Sequence, residues 1–150
     1  MARLLIIHHT PSPAMHMLFE AVRDGTAADG IDGVQVVCRA ALATTAADVL
    51  ASDGYVLGTP ANLGTMSGAL KHCFDTIYYP CLDDTRGRPV GVYVHGNNDV
   101  DGALRDIAKI TTGLDWRETQ APLRVIGEPT RDDLTACWEL GAALAAGLMS

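Results

Sequence analysis

The sequence predicts a three-layer α/β/α sandwich on a five-stranded parallel sheet. Short continuous apolar runs, such as Leu4 to Ile7, read as strands buried on both faces. Longer segments between them carry apolar residues at helical spacing. The two patterns alternate five times, and strands separated by helices pair in parallel through right-handed crossovers.

Each element has its own signal. Met15, Leu18, Phe19 and Val22 form a helical stripe after the loop His8 to Pro13, and Gly25 and Gly30 break it. Val34 to Val37 is the second strand. Thr44 and Thr45 cap a short helix through Leu50. Tyr55 to Leu57 is the third strand, with Gly58-Thr59-Pro60 expected to end it. Met66, Ala69, Leu70, Cys73, Phe74 and Ile77 mark the next helix, with Thr65 as its cap and Pro80 as its stop. Val90 to Val94 is the fourth strand. A helix through Val100, Leu104 and Ile107 follows, closed by Gly113. Leu123 to Ile126 is the fifth strand. Thr130 and Asp133 form a capping box for a last helix through Leu134, Cys137, Leu144 and Leu148. No repeat or linker interrupts the pattern, so residues 1–150 read as one domain.

Composition narrows the function. The chain has 150 residues, 48% hydrophobic, and a formal net charge of −7. That charge argues against sequence-independent nucleic-acid binding and against an anionic membrane surface. No apolar run approaches the roughly 20 residues of a membrane span, and Leu4 to Ile7 is too short for a secretory signal. The four cysteines, Cys38, Cys73, Cys81 and Cys137, form no C-x-x-C pair and no zinc-like spacing. They read as reduced thiols, and the protein is expected to be cytoplasmic. Cys73 and Cys137 lie on apolar stripes; Cys81, beside Pro80, reads as more exposed. Asp83, Asp84, Arg86 and Arg88 read as a solvated loop. His8 and His9 point to opposite faces and share no metal.

Ligands of an open parallel sheet bind beyond the carboxyl ends of its strands. Three loops therefore matter: His9 to Met15, Thr59 to Thr65, and His95 to Asp101. Neither G-x-G-x-x-G nor a P-loop is present, and Gly64-Thr65-Met66-Ser67-Gly68 places its serine one position late for a nucleophile elbow.

The second loop reads Gly58-Thr59-Pro60-Ala61-Asn62-Leu63-Gly64-Thr65-Met66-Ser67-Gly68-Ala69-Leu70-Lys71 and closes at Phe74-Asp75. The fourth strand runs into His95-Gly96-Asn97-Asn98-Asp99, followed by Gly102-Ala103. These segments resemble the flavodoxin-like superfamily, in its NAD(P)H-dependent FMN reductase and multimeric flavodoxin branch, the NAD(P)H:quinone oxidoreductase type. The resemblance implies the strand order 2-1-3-4-5 and an FMN cofactor. It also implies electron transfer from NAD(P)H to a quinone, a flavin or a similar small acceptor, in a homodimer or homotetramer.

Carried onto this chain, Pro60, Ala61, Asn62, Leu63, Gly64 and Thr65 would hold the isoalloxazine ring. Gly64 lets backbone approach the ring edge, and small or apolar neighbours lie against its face. His95, Gly96, Asn97, Asn98 and Asp99 would line the second side, the asparagines offering donors and acceptors to a pyrimidine edge. Helix capping is an equal use for Asn98 and Asp99. Thr10, Ser12, Ala14 and Met15 would face the phosphate through hydroxyls and the amides of a helix amino terminus, with Pro13 at the first helical position. That loop departs from the family pattern: it has no glycine, and Pro11 and Pro13 remove two amide donors. No side chain reads as a catalytic acid or base. Two alternatives carry their own signals. A flavodoxin-type one-electron carrier fits the acidity, although no aromatic residue lies in either ring loop. A domain that has lost the flavin fits the prolines.

Overall fold

The computed structural model describes all 150 residues. Its sheet contains β1 (Ala2–His8), β2 (Val34–Ala40), β3 (Gly54–Asn62), β4 (Thr65–Met66), β5 (Pro89–Gly96), β6 (Arg117–Glu118) and β7 (Leu123–Ile126). The helices are α1 (Pro13–Thr26), α2 (Ala46–Leu50), α3 (Gly68–Cys81), α4 (Asp101–Gly113) and α5 (Arg131–Ala146). The main path runs β2-β1-β3-β5, and β6 and β7 both pair with β5. All these pairings are parallel, so β6 and β7 are two halves of one fifth strand and the predicted order 2-1-3-4-5 is present.

The alternation of side chains explains the apolar runs. Leu4 and Ile6 of β1, Val56 of β3 and Tyr93 of β5 join the core under α1 and α5. Leu5 and Ile7, Tyr55 and Leu57, and Val90, Val92 and Val94 join the core under α2, α3 and α4. A strand covered on both faces cannot show the apolar–polar alternation of a half-exposed one.

Several boundaries differ from the sequence expectation, each for a local reason. β3 does not end at Pro60: it continues to Asn62 and turns back into β4, with Ala61 opposite Met66 and Asn62 opposite Thr65. β1 stops at His8, opposite Gly58, so Pro60 lies beyond the last parallel pairing on that side and its missing N–H breaks no ladder there. Ser67, not Thr65, caps α3, its hydroxyl accepting from the Leu70 amide at 3.2 Å. Pro80 sits inside the last turn of α3, which closes only when the Leu82 amide reaches the Tyr78 carbonyl at 2.9 Å. The fifth strand is broken at 119–122, where four residues including Pro122 lie opposite only Gly91 and Val92 of β5. The capping boxes of α2 (Thr45 with Asp48) and α5 (Thr130 with Asp133) are both complete.

Two surface assignments are also corrected. Arg88 does not belong to a solvated loop. Its guanidinium donates to the carbonyls of Val49 at 3.3 Å, Leu50 at 3.1 Å and Ser52 at 2.6 Å, which end α2. It also meets the Tyr55 hydroxyl at 3.1 Å. Carbonyls left unpaired at a helix carboxyl end attract a cation in this way. Cys81 is not exposed: α3 turns it into the core, where its thiol points at the Ala46 carbonyl at 3.8 Å. Cys73 and Cys137 are buried too, and only Cys38 is half-exposed. Burial raises all four thiols, Cys73 and Cys137 to about 12. A thiolate-specific reagent at neutral pH should therefore modify Cys38 alone, slowly, in the native protein and all four cysteines in urea. Rapid native modification of two or more would contradict this packing.

No helix is long and apolar enough to cross a membrane.

Candidate functional site

The loops after β1, β3, β5 and β7 meet at the carboxyl edge of the sheet. They enclose a cleft of about 410 Å³ lined by Pro11, Ser12, Pro13 and Ala14, by Pro60, Ala61 and Asn62, and by His95, Gly96, Asn97 and Glu128. That volume lies in the range of small-ligand sites, roughly 300–1,000 Å³. It sits where parallel α/β sheets bind ligands, because β1 and β3 are neighbours whose connections leave on opposite faces.

The ring side of the cleft is rigidly built. Thr59, fully buried, donates its hydroxyl to the Pro60 carbonyl at 2.8 Å and accepts from the Ser67 amide at 3.1 Å, tying the end of β3 to the start of α3. The β3–β4 hairpin closes through Leu63 (φ 50) and Gly64 (φ 84). Two successive positive φ values match the tight turn that follows strand twist, in which Asn-Gly is the preferred pair. Thr65 then donates to the Asp106 carboxylate of α4 at 2.6 Å. Gly102 of α4 packs directly beneath the Gly64 carbonyl, so close that a methyl there would overlap it. On the opposite wall, His95 donates from Nε2 to the Gly127 carbonyl at 2.8 Å, and the Gly127 amide returns to Gly96 at 2.9 Å. A methyl on Gly96 would press on Val100 at 3.0 Å and Ala61 at 3.4 Å, so glycine keeps the two ring loops close together.

Leu63 is unusual. A leucine in the left-handed region costs roughly 1–2 kcal/mol, and this one is fully exposed at the tip of the turn. Leu63→Asn should therefore stabilise the fold by about 1 kcal/mol, because asparagine suits this turn. Urea denaturation measures the gain, and no gain or a loss would contradict the assigned strain.

The phosphate side is built differently. Ser12 caps α1, its Oγ accepting from the Met15 amide at 3.2 Å, while the His16 amide bonds to the Ser12 carbonyl at 3.0 Å. Pro13 occupies the first helical position. Thr10 is engaged with His8, Oγ1 to Nδ1 at 2.7 Å, and His8 stacks on Phe19 with centroids 4.1 Å apart. Burial lowers the His8 pKa, with the charges of His9 and Arg23 acting in the same direction, so the ring is held neutral. His16 pairs with Glu20 at 2.7 Å.

Among the residues expected from the sequence, the cleft gathers Ser12, Ala14, Pro60, Ala61, Asn62, His95, Gly96 and Asn97. Thr10 and Met15 stand behind it, Met15 with its side chain fully buried. Leu63 and Thr65 line a neighbouring groove with Met66, Lys71 and Asp106 rather than the cleft itself, and Gly64 lies at the turn between them. Asp99 precedes Val100, the N-cap of α4, and its carboxylate accepts from the Asp101 amide at 2.8 Å; neither Asp99 nor Asn98 lines the cleft. Glu128 was not anticipated. Its only signal in the sequence is its place two residues after the fifth strand, on the same edge as the other loops.

With the geometry in view, comparison with solved structures is informative. A flavodoxin from the domain Archaea superposes with a TM-score of 0.82 at 17% identity, over 97% of this chain and 98% of that one. This is the flavodoxin fold. Oxidised Flavodoxin 1 from Bacillus cereus gives 0.82 at 14% identity, over 99% and 100% of the two chains. A flavodoxin, WrbA-like protein from Agrobacterium tumefaciens shares the same flavodoxin-like architecture, at 0.72 and 16% identity over 97% and 96%. In sequence, the chain is 31% identical to a flavodoxin from Aquifex aeolicus (strain VF5) over 77 residues, 51% of this chain. The match covers 40% of that relative's length. No family model matches the sequence.

The flavodoxin-like fold implies FMN, and the two ends of the cleft answer that differently. The ring end fits a flat tricycle: small and apolar lining, backbone close on both sides through Gly96, and a carboxamide at Asn97. The phosphate end does not fit a dianion. From His9 to His16 there are eight residues; two are prolines, and three amides (His9, Met15, His16) are bonded within the chain. Only the amides of Thr10, Ser12 and Ala14 remain, separated by prolines, whereas an anion nest uses successive N–H groups.

Proposed function

We propose that this chain binds a flavin in the carboxyl-edge cleft and serves electron transfer, taking electrons from NAD(P)H and passing them to a small acceptor such as a quinone. The observation that carries the proposal is the ring end of the cleft. Two backbone walls, Pro60 to Asn62 and His95 to Asn97, are braced from behind by Thr59, Thr65, Gly102 and Gly127, and no aromatic residue lines the space between them. A bound flavin would supply the redox chemistry. The chain's part is to position the ring, exclude water from one face with Ala61 and Pro60, and present polar groups at Asn62 and Asn97. His95 is fixed in orientation by its Nε2 donation to Gly127. An open ring face suits a stacked nicotinamide. Leu63, fully exposed at the tip of the β3–β4 turn, is consistent with a second copy of the chain covering that face.

A one-electron carrier is the second reading, favoured by the stretch shared with the Aquifex flavodoxin and by the net charge of −7. Anaerobic reduction of the flavin-loaded protein separates the two. Bleaching of the visible flavin band by NADH or NADPH without a partner reductase supports the reductase. A spectrum indifferent to both nicotinamides, but reduced by dithionite in two separated one-electron steps, supports the carrier.

A further inference from the structure

We propose that the cleft selects an uncharged flavin, the tricyclic ring with a ribityl chain ending in a hydroxyl, over the phosphorylated form. The inference rests on the flavin reading above and concerns only the tail of the ligand. Three independent features of the phosphate end carry it. First, the prolines at 11 and 13 alternate with the remaining free amides of Thr10, Ser12 and Ala14, so no two adjacent N–H groups can converge on a phosphate oxygen. Second, the loop offers few side-chain donors: Thr10 Oγ1 pairs with His8, and Ser12, whose Oγ accepts from Met15, has a single O–H left to give. Third, the cleft contains no lysine or arginine, and the only formally charged side chain lining it is the carboxylate of Glu128.

The charge balance decides which tail is favoured. A phosphate monoester is close to a dianion at neutral pH, and the one carboxylate lining the cleft, the exposed Glu128, repels it with no cation there to offset the charge. His16, the one titratable base at the start of α1, is paired with Glu20 instead. A terminal hydroxyl has the opposite preference. It donates to a carboxylate, as Glu128 offers, and accepts from single, separated amides, as this loop offers. The same residues that fail an anion therefore satisfy a polyol.

The test is a fluorescence-quenching titration of the intact protein with riboflavin and with FMN, at low and high salt. The expected result is riboflavin bound at least about tenfold more tightly than FMN, a difference of about 1.4 kcal/mol. Added salt should narrow the gap by strengthening FMN, since screening weakens a repulsion. Glu128→Gln should tighten FMN and weaken riboflavin, so that the preference for riboflavin narrows. Pro11→Gly, which restores one amide, should also favour FMN alone. FMN binding more tightly than riboflavin overturns this inference and leaves the flavin reading intact. An unchanged ratio in Glu128→Gln overturns the role assigned to the carboxylate. Quenching of neither flavin overturns both.

Discussion

Replacing Gly141 with alanine is expected to destabilise the protein by about 2 kcal/mol, although alanine is the better helix former. Gly141 lies in α5 against the backbone of α1, where a methyl would overlap the Val22 carbonyl and press on the Thr26 amide at 3.3 Å. The contact is reciprocal: a methyl on Gly25 of α1 would overlap the Trp138 carbonyl of α5. The two helices therefore approach backbone to backbone, and neither obstacle is a side chain that can swing away. Two effects oppose each other. Helix propensity favours alanine by about 1 kcal/mol, while overpacking a rigid interface costs roughly 1–3 kcal/mol and more when backbone must move. The collision is with backbone, so the second effect prevails. Urea denaturation should show a lower midpoint at unchanged slope. A raised midpoint would mean that α1 and α5 do not pack this closely.

Gly102→Ala is expected to do the reverse: little change in stability and a large loss of binding. Gly102 lies in the first turn of α4, and the group it touches is the carbonyl of Gly64 in the β3–β4 turn. That turn carries two left-handed residues and little buried surface, so it yields before the helix does. The propensity gain of about 1 kcal/mol offsets the local strain, leaving stability within about 1 kcal/mol of the parent. The displaced turn carries the wall formed by Ala61 and Asn62 with it. Flavin affinity should fall about tenfold or more, since a ring held by backbone tolerates little displacement. The thermal midpoint and the quenching titration separate the two effects. Unchanged affinity would show that the turn does not set the ring site.

These expectations trace back to what was and was not legible in the chain. Leu4 to Ile7 was legible as a strand because a run buried on both faces has no competing explanation at that length, and Leu123 to Ile126 because a short apolar run follows the fourth helix, although only Val125 of it is buried. Arg117 and Glu118 were not, because two exposed charged residues at a sheet edge look like any loop. Pro60 misled because proline breaks a strand only where its missing N–H has a partner to lose, and there the β1 neighbour has already ended, whereas Pro80 does close α3, one residue further on. That three loops meet at the carboxyl edge was legible from topology and from the Pro60-to-Lys71 motif. Glu128 was not, since one carboxylate in a loop has no pattern, and the reach of Arg88 to the carbonyls of Val49 and Leu50 in α2 and of Ser52 just beyond it is a tertiary fact. The two prolines of the first loop were visible from the start. Their consequence became definite only in the structure, where the free amides that remain, those of Thr10, Ser12 and Ala14, are separated by the prolines.

The central claim is that a flavin ring lies between the β3–β4 hairpin and the loop after β5. Amide chemical-shift mapping during titration of the isotope-labelled protein with riboflavin tests it most directly. The account predicts saturable shifts concentrated at residues 58–65, 95–99 and 127–128, with the groove between α1 and α5 unmoved. Shifts confined to that groove, or none at saturating flavin, would contradict it.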